Sequence, residues 1–254
     1  MARSARNEVL NLSIDRVDNR VFTVDAVLTG KIAPLGEHGK TSAIGKTPVE
    51  GRVWLGETGL EGDQQAELKH YGGPEQALLH YAFDHYAAWR AQWQAGEFGL
   101  ARLDGLGAFG ENISTSGMTE TNVCVGDVYR IGGAIVQVSQ PRQPCWKLNL
   151  RFGRADMSRA VQDTRRTGWY YRVLEAGEIG AGDTIERLAR PHAEWTVERL
   201  LRVLYVDRDD LHALEGMAKL DTLTASWRKI AIRRIESGQV ESWTKRLDTP
   251  VAQR

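Results

Sequence analysis

The sequence lacks a charge imbalance: among 254 residues, 33 lysines and arginines are matched by 33 aspartates and glutamates, giving a formal net charge of zero. Without a global basic field, neither a nucleic-acid polymer nor an anionic membrane surface is an expected partner. No apolar run approaches the roughly 18 to 20 residues of a membrane span, and residues 1–20 lack the apolar stretch of a secretory signal. Arg3 and Arg6 faintly resemble a transit peptide, but Glu8, Asp15 and Asp18 follow them and count against it. The expectation is a cytoplasmic protein with a frayed N-terminal tail over residues 1–21.

Cysteine is scarce. The two present, Cys124 and Cys145, form no C-x-x-C pair and no histidine pattern with zinc spacing, which argues against a disulfide scaffold and a structural zinc site. The chain also has no G-x-G-x-x-G fingerprint, so a nicotinamide or flavin held in a Rossmann domain has no support. His80 and His85 do not make H-E-x-x-H. Gly39 to Thr47 resembles a phosphate-binding loop, but it has five residues between its glycines instead of four, and it runs into Pro48 and a strand rather than a helix. Nucleotide hydrolysis is not expected.

What is present is a series of short strand patterns. Residues 22–31, 49–55, 109–114, 128–131, 134–139, 169–174 and 184–188 carry β-branched or alternating apolar residues bounded by turn signals. Gly132-Gly133 joins two of them as a hairpin. The Gly-Asp pairs at 62–63, 126–127 and 182–183 read as turn punctuation. Residues 77–94 read as a strand followed by a helix capped by Asp84. Strands without regular βαβ alternation predict a mostly antiparallel, mainly β barrel decorated with helices, over residues 22–190.

Beyond Pro191 the pattern changes to three helices, over 196–205, 209–220 and 221–237, with aspartates at two starts and a glycine closing the third. Residues 191–254 are therefore expected to form a small helical domain. Arg228, Lys229, Arg233 and Arg234 would suit a DNA-binding helix, but a solvated basic face is the commoner outcome.

The two cysteines differ in setting. Cys124 lies in an apolar strand-like context and reads as packing. Cys145 is framed by Pro144, Arg142 and Lys147, and residues 142–166 hold seven basic side chains against two acidic ones. Such an excess favours a thiolate and attracts an anionic group. Of these cations Arg142 is the one expected in a site, the later arginines reading as a solvated helix face. Upstream, Lys69-His70-Tyr71-Gly72-Gly73-Pro74 pairs glycines, which allow close backbone approach to a ligand, with a histidine able to donate; a tight turn explains the glycines equally well.

Taken in order and spacing, G-L-E-G-D-Q-Q-A-E-L-K-H-Y-G-G-P, L-H-Y-A-F-D-H-Y, F-G-E-N-I-S and S-Q-P-R-Q-P-C-W-K-L resemble the MOSC-domain proteins of the YiiM type. The likeness spans residues 24–190 and continues through S-W-R-K-I-A-I-R-R-I-E-S-G, which resembles that type's C-terminal three-helix extension. The chain departs from the type in having Ala82 where a proline is usual and Tyr71 inserted between His70 and the paired glycines. The resemblance implies a β-barrel that binds molybdenum cofactor, with Cys145 as both metal ligand and catalytic residue. It makes Lys46, His70, Gly73, Asn112 and Arg142, and more weakly Lys31, candidates for the cofactor pocket.

It further implies reduction of N-hydroxylated compounds such as 6-N-hydroxylaminopurine, which would detoxify base analogues. No iron–sulfur or flavin motif is visible, so a separate flavin or iron–sulfur reductase is the expected electron donor. Trp146 and Tyr71 are the aromatics nearest in sequence that a purine could stack on. A sulfur carrier using a persulfide on Cys145, for metal–sulfur cluster or cofactor assembly, is the alternative. A non-catalytic pterin or nucleotide binder is a third reading, and a homodimer stays open.

Overall fold

A computed structural model describes residues 20–36, 39–67, 72–93 and 99–250. The expected tail, through residue 19, lies outside them, as do His70 and Tyr71. The first strands are β1 (Phe22–Thr23), β2 (Ala26–Gly30), β3 (Ala33–Leu35), β4 (Lys40–Ser42), β5 (Lys46–Pro48), β6 (Arg52–Gly56) and β7 (Gly59–Leu60). Then come β8 (Leu78–Ala82), β9 (Ile113–Thr115), β10 (Val128–Ile131), β11 (Ala134–Pro141), β12 (Trp169–Glu175), β13 (Gly177–Gly180) and β14 (Thr184–Ala189).

Nine of these form one curled sheet in the order β1-β14-β10-β11-β12-β8-β9-β2-β5. The curl follows from continuity. The segment Phe22 to Gly30 pairs with β14 through its first half and with β9 through its second, so one stretch of chain joins both sides of the sheet. Val24 at the switch donates to Asp183 O and accepts from Gly182 N, at 2.9 and 2.8 Å. Every pairing in this sheet is antiparallel except β8 with β9. The barrel expected from the strand spacing is therefore present, with one parallel pair. Gly132-Gly133 makes the hairpin between β10 and β11, where Ile131 faces Ala134.

Two expectations shift. Within 109–114 only Ile113 onward pairs as strand, because residues 107–111 wrap around the buried Glu111 carboxylate, which accepts from Gly107 N at 2.8 Å and Phe109 N at 3.1 Å. Tyr86 also donates to Glu111, and its phenol pKa is raised by burial and by that carboxylate. The helix after β8, α1 (Asp84–Gln92), starts one residue earlier than expected, with Phe83 at the cap position. Asp84 is its first helical residue, and its carboxylate accepts from Gly117 N at 2.8 Å.

Two short helices, α2 (Lys147–Phe152) and α3 (Met157–Thr164), follow the cysteine segment. They pack with α1 over an aromatic cluster of Tyr81, Tyr86, Trp89, Phe109 and Phe152. The C-terminal part adds α4 (Val197–Tyr205), α5 (Leu211–Lys219), α6 (Ala225–Ser237) and a final turn, α7 (Thr244–Leu247). Thr196 caps α4 by accepting from Arg199 N, and Asp210 caps α5 by accepting from Ala213 N, both at 3.0 Å. The third helix starts after Thr224, not at Asp221; the Thr224 side chain is bonded to Gln140 instead of capping its own helix.

These helices are not a loose appendage. Leu200, Leu204, Leu214, Met217 and Trp227 join the same apolar core as Val136, Val138 and Tyr171 of the sheet. Arg234 is not on a solvated face either: it is 3% exposed and bonds Glu241 and the Leu204 carbonyl. Among the described residues no helix is long and apolar enough to cross a membrane.

A buried network ties Arg190, just after β14, to the residues that lead into β10. Asp127, fully buried, accepts from Arg190 Nε and Nη2 at 2.8 and 2.6 Å, from Tyr129 OH at 2.9 Å and from Cys124 N at 2.9 Å. Burial, reinforced by Asp127, pushes the Cys124 thiol up to about 11, which matches its reading as packing. Arg190→Ala leaves this carboxylate without its charge partner and is expected to cost about 3 kcal/mol in urea unfolding. Arg190→Lys should recover part of that, since one ammonium cannot serve both carboxylate oxygens and the Asn122 carbonyl. A loss below about 0.5 kcal/mol in Arg190→Ala would contradict the network's importance.

Candidate functional site

The site is built around a third buried carboxylate, in a position read from sequence only as a turn. Asp63 follows β7, where its Oδ1 accepts from Gly30 N at 2.7 Å and its Oδ2 from Asn112 Nδ2 at 2.9 Å. Lys46 Nζ donates to the same Oδ2, and both side chains are nearly fully buried. Burial lowers the Lys46 pKa, and the charge and hydrogen bond of Asp63 oppose that shift. Asn112 braces the strands: its Nδ2 also reaches Leu28 O at 3.1 Å, and its Oδ1 accepts from Leu79 N at 3.1 Å. Lys46 and Asn112 thus belong to one polar floor under β2, β5, β8 and β9.

Above that floor opens a cleft enclosing about 670 Å³ of empty space, part of it continuous with solvent. Lys46, Asn112, Arg142, Gln143, Cys145, Lys147 and Tyr170 line it, with Leu79, Phe109, Ala43 and Ile44 as apolar wall. Gly110 is required in that wall, because its φ is 79° and a Cβ there would come within 2.7 Å of the Ile44 side chain.

Cys145 is 5% exposed, between β11 and α2. Arg142, three residues before it, is held by its backbone N–H to Gly168 O at 3.0 Å. Its side chain is 6% exposed, yet its buried Nη1 has no hydrogen-bond partner. A buried guanidinium N–H without an acceptor is costly, and inside a cleft it can donate to an anionic or carbonyl oxygen. Tyr170 lies against both residues: burial raises its phenol pKa, Arg142 draws it down and Cys145 raises it.

The sequence-derived candidates therefore separate. Lys46, Asn112, Arg142 and Cys145 meet in the cleft. Lys31 does not line it; its ammonium, exposed at the end of β2, donates to Gly62 O at 2.8 Å. Gly72 lines the cleft while Gly73, with φ 79°, turns the chain into the 3-10 turn Pro74–Gln76. His70 lies outside the described residues. Trp146 is not part of the lining: it precedes α2 and its ring faces Lys147 Nζ at 6.0 Å. Three of the later arginines are engaged elsewhere, Arg151 with the carbonyls of Gly107 and Ala108, Arg159 with Asp248 and Arg165 with Glu198.

Sequence reasoning missed Asp63, because a Gly-Asp turn gives no sign of a buried carboxylate. Lys147 was read for charge only; it is 8% exposed and pairs with Glu67 at 3.0 Å.

A curled sheet with one cysteine in a cationic cleft, followed by three helices sharing its core, is the architecture of a known class. Residues 67–186 match the MOSC domain, and the chain belongs to the MOSC-domain proteins. Residues 195–238 match the YiiM-like, 3-alpha helix domain, which places the chain in the YiiM type. It is 42% identical to Protein YiiM of Escherichia coli strain K12, over 89% of this chain and 98% of that protein. The crystal structure of YiiM from Escherichia coli superposes with a TM-score of 0.75 at 33% identity, covering 91% of this chain and all, 100%, of that one. A Gibberella moniliformis protein named "Reductase" is 39% identical over 78% of this chain, which spans 34% of that longer protein.

The Asp63–Lys46 pair gives a direct test of the floor. Asp63→Ala is expected to lose about 3 kcal/mol, because an ammonium stays buried without its partner. Adding Lys46→Met should restore at least about 1 kcal/mol, the coupling expected of contacting charges. Purely additive losses in denaturant unfolding would show that the pair does not act as a unit.

Proposed function

We propose that the cleft binds molybdenum cofactor, with Cys145 as the thiolate ligand of the metal, and that the protein reduces N-hydroxylated compounds such as 6-N-hydroxylaminopurine to the amine. The observation that carries this reading is the buried, acceptor-less Nη1 of Arg142 in the same cleft as Cys145. Residue chemistry fits the group. A soft sulfur donor stands among Arg142, Lys46 and Lys147, which suits a metal carried by an anionic, phosphate-bearing pterin. Among the described residues no cluster of three or more His, Cys, Asp or Glu side chains is placed to hold a metal. One thiolate alone suits a metal that arrives with ligands of its own.

When bound, the group supplies two-electron chemistry that converts N–OH to N–H, consuming two electrons and two protons and releasing water. The protein's part is orientation and electrostatics. Arg142 would hold negative charge beside Cys145, while Leu79, Phe109 and Ile44 keep that side of the cleft apolar. Tyr170 keeps its proton at neutral pH, since burial raises its pKa, and offers a face for a planar base. Stacking is thus assigned to Tyr170 in place of Trp146. The name "Reductase" of the fungal relative supports the redox class. Electrons are proposed to come from a separate flavin or iron–sulfur reductase.

The test is metal analysis of protein made in a host with and without cofactor biosynthesis. Molybdenum is expected only in the first. Arg142→Ala should weaken its retention after gel filtration about ten- to hundredfold, and Cys145→Ser should abolish activity with folding intact. Molybdenum-free protein carrying a persulfide on Cys145 would instead favour the sulfur-carrier reading.

Substrate choice is tested by a reductase-coupled assay comparing 6-N-hydroxylaminopurine with a small aliphatic hydroxylamine. Tyr170→Leu is expected to lower kcat/KM for the purine about tenfold while sparing the aliphatic substrate. No purine reduction by loaded wild type would end the substrate assignment.

A further inference from the structure

The segment after α6 lies beyond both family matches, which end at residues 186 and 238. It returns to the cysteine. Arg246, in α7, accepts through its own carbonyl from Trp146 N at 2.8 Å, and its Nη1 donates to the Pro144 carbonyl. One residue therefore grips the backbone on both sides of Cys145. Its Nη2 donates to Gln162 Oε1 at 2.5 Å, tying the grip to α3, and its guanidinium faces the Tyr205 ring of α4 at 5.9 Å. The neighbouring Leu247, 1% exposed, anchors the turn: its carbonyl accepts from Asn149 Nδ2 at 2.8 Å and Ser158 Oγ at 2.7 Å.

A second contact from the C-terminal part meets the approach to this loop. Thr224 N donates to Ser139 O at 3.2 Å and its hydroxyl to Gln140 Oε1 at 2.8 Å, at the end of β11. The strand leading to the cysteine and the turn leaving it are both held by residues that come late in the chain.

We propose that Arg246 is a positioning residue for Cys145, and that the C-terminal turn at Thr244–Leu247 works as a clamp fixing the thiol's direction into the cleft. The physical ground is the cost of motion. For Cys145 to swing, the loop must break both Arg246 contacts, one of them made by a charged donor. The inference rests on Cys145 being the reactive group of the site, but the clamp exists whether or not a cofactor is bound.

The experiment is native-state alkylation of Cys145 by iodoacetamide, read by mass spectrometry on the peptide that carries it. Arg246→Ala is expected to raise the labelling rate about tenfold, because it removes the charged contact to Pro144 and leaves only the backbone bond to Trp146 N to be broken when the loop opens. Gln162→Leu, which removes only the outer partner of the guanidinium, should raise it by a smaller factor. Arg190→Ala weakens the fold through different partners and should leave the rate within about twofold of wild type. An unchanged or lower rate in Arg246→Ala overturns the proposal. If that variant does not fold, an unchanged rate in Gln162→Leu overturns it. An equal rise in Arg190→Ala also does so, because labelling would then report general loosening. Since labelling needs no cofactor, these outcomes are independent of the molybdenum analysis.

Discussion

The geometry of the site depends on a buried carboxylate that cannot stand alone. Removing Asp63 from water is tolerable only because Lys46, Asn112 and the Gly30 amide all donate to it. Those donors come from β5, the approach to β9, and β2, so satisfying one charge fixes three parts of the sheet against each other. Asn112 extends the constraint to Leu28 and Leu79 through its remaining polar atoms. The cleft floor is therefore a consequence of charge satisfaction, and the residues above it inherit fixed positions.

The two cysteines show how surroundings set the chemistry of one side chain. Cys124 sits beside the Asp127 carboxylate in the interior, where burial holds the thiol protonated. Cys145 leaves β11 into a cationic cleft, with Arg142 three residues before it and Lys147 two after. Rigidity there is layered. Pro141 pairs with Trp169 at the strand end, Arg142 N–H is tied to Gly168, and Arg246 holds the flanking Pro144 and Trp146. A thiol aimed from such a loop loses little entropy when it engages a ligand.

The shared core changes how the C-terminal helices should be understood. Their apolar spacing of three and four reads as a self-contained bundle, yet Leu200, Met217 and Trp227 bury against the sheet. The link runs through the backbone bonds of Val123 and Val125 with Val197 and Trp195, through Thr224 at the end of β11, and through α7 behind the cysteine. A segment whose pattern predicts a separate small domain is thereby part of the scaffold that holds the site.

Local signals determined much of this. Alternating apolar residues marked β10, β11, β12 and β14, paired glycines marked the hairpin between the first two, and three-residue to four-residue apolar spacing marked α4, α5 and α6. Proline and cation flanks singled out Cys145 over Cys124. What escaped the sequence depends on distant partners. Strand β13 is glycine-rich and becomes a strand only by pairing with β6, and α2 and α3 are too short for periodicity to reveal. Glu111 reads as a polar position of an expected strand and Asp63 as turn punctuation, and neither shows as a buried charge until the fold encloses it. The sequence by itself determined which segments alternate, turn or coil, because those depend on neighbours within a few residues. Only the tertiary structure decided that Asp63 would meet Lys46, that Lys31 would stay outside, and that Arg246 would reach Pro144 across about a hundred positions of chain, with a separation of 102. Buried charges and backbone groups find their partners through space, and the cost of leaving them unpaired is settled only when the chain is folded.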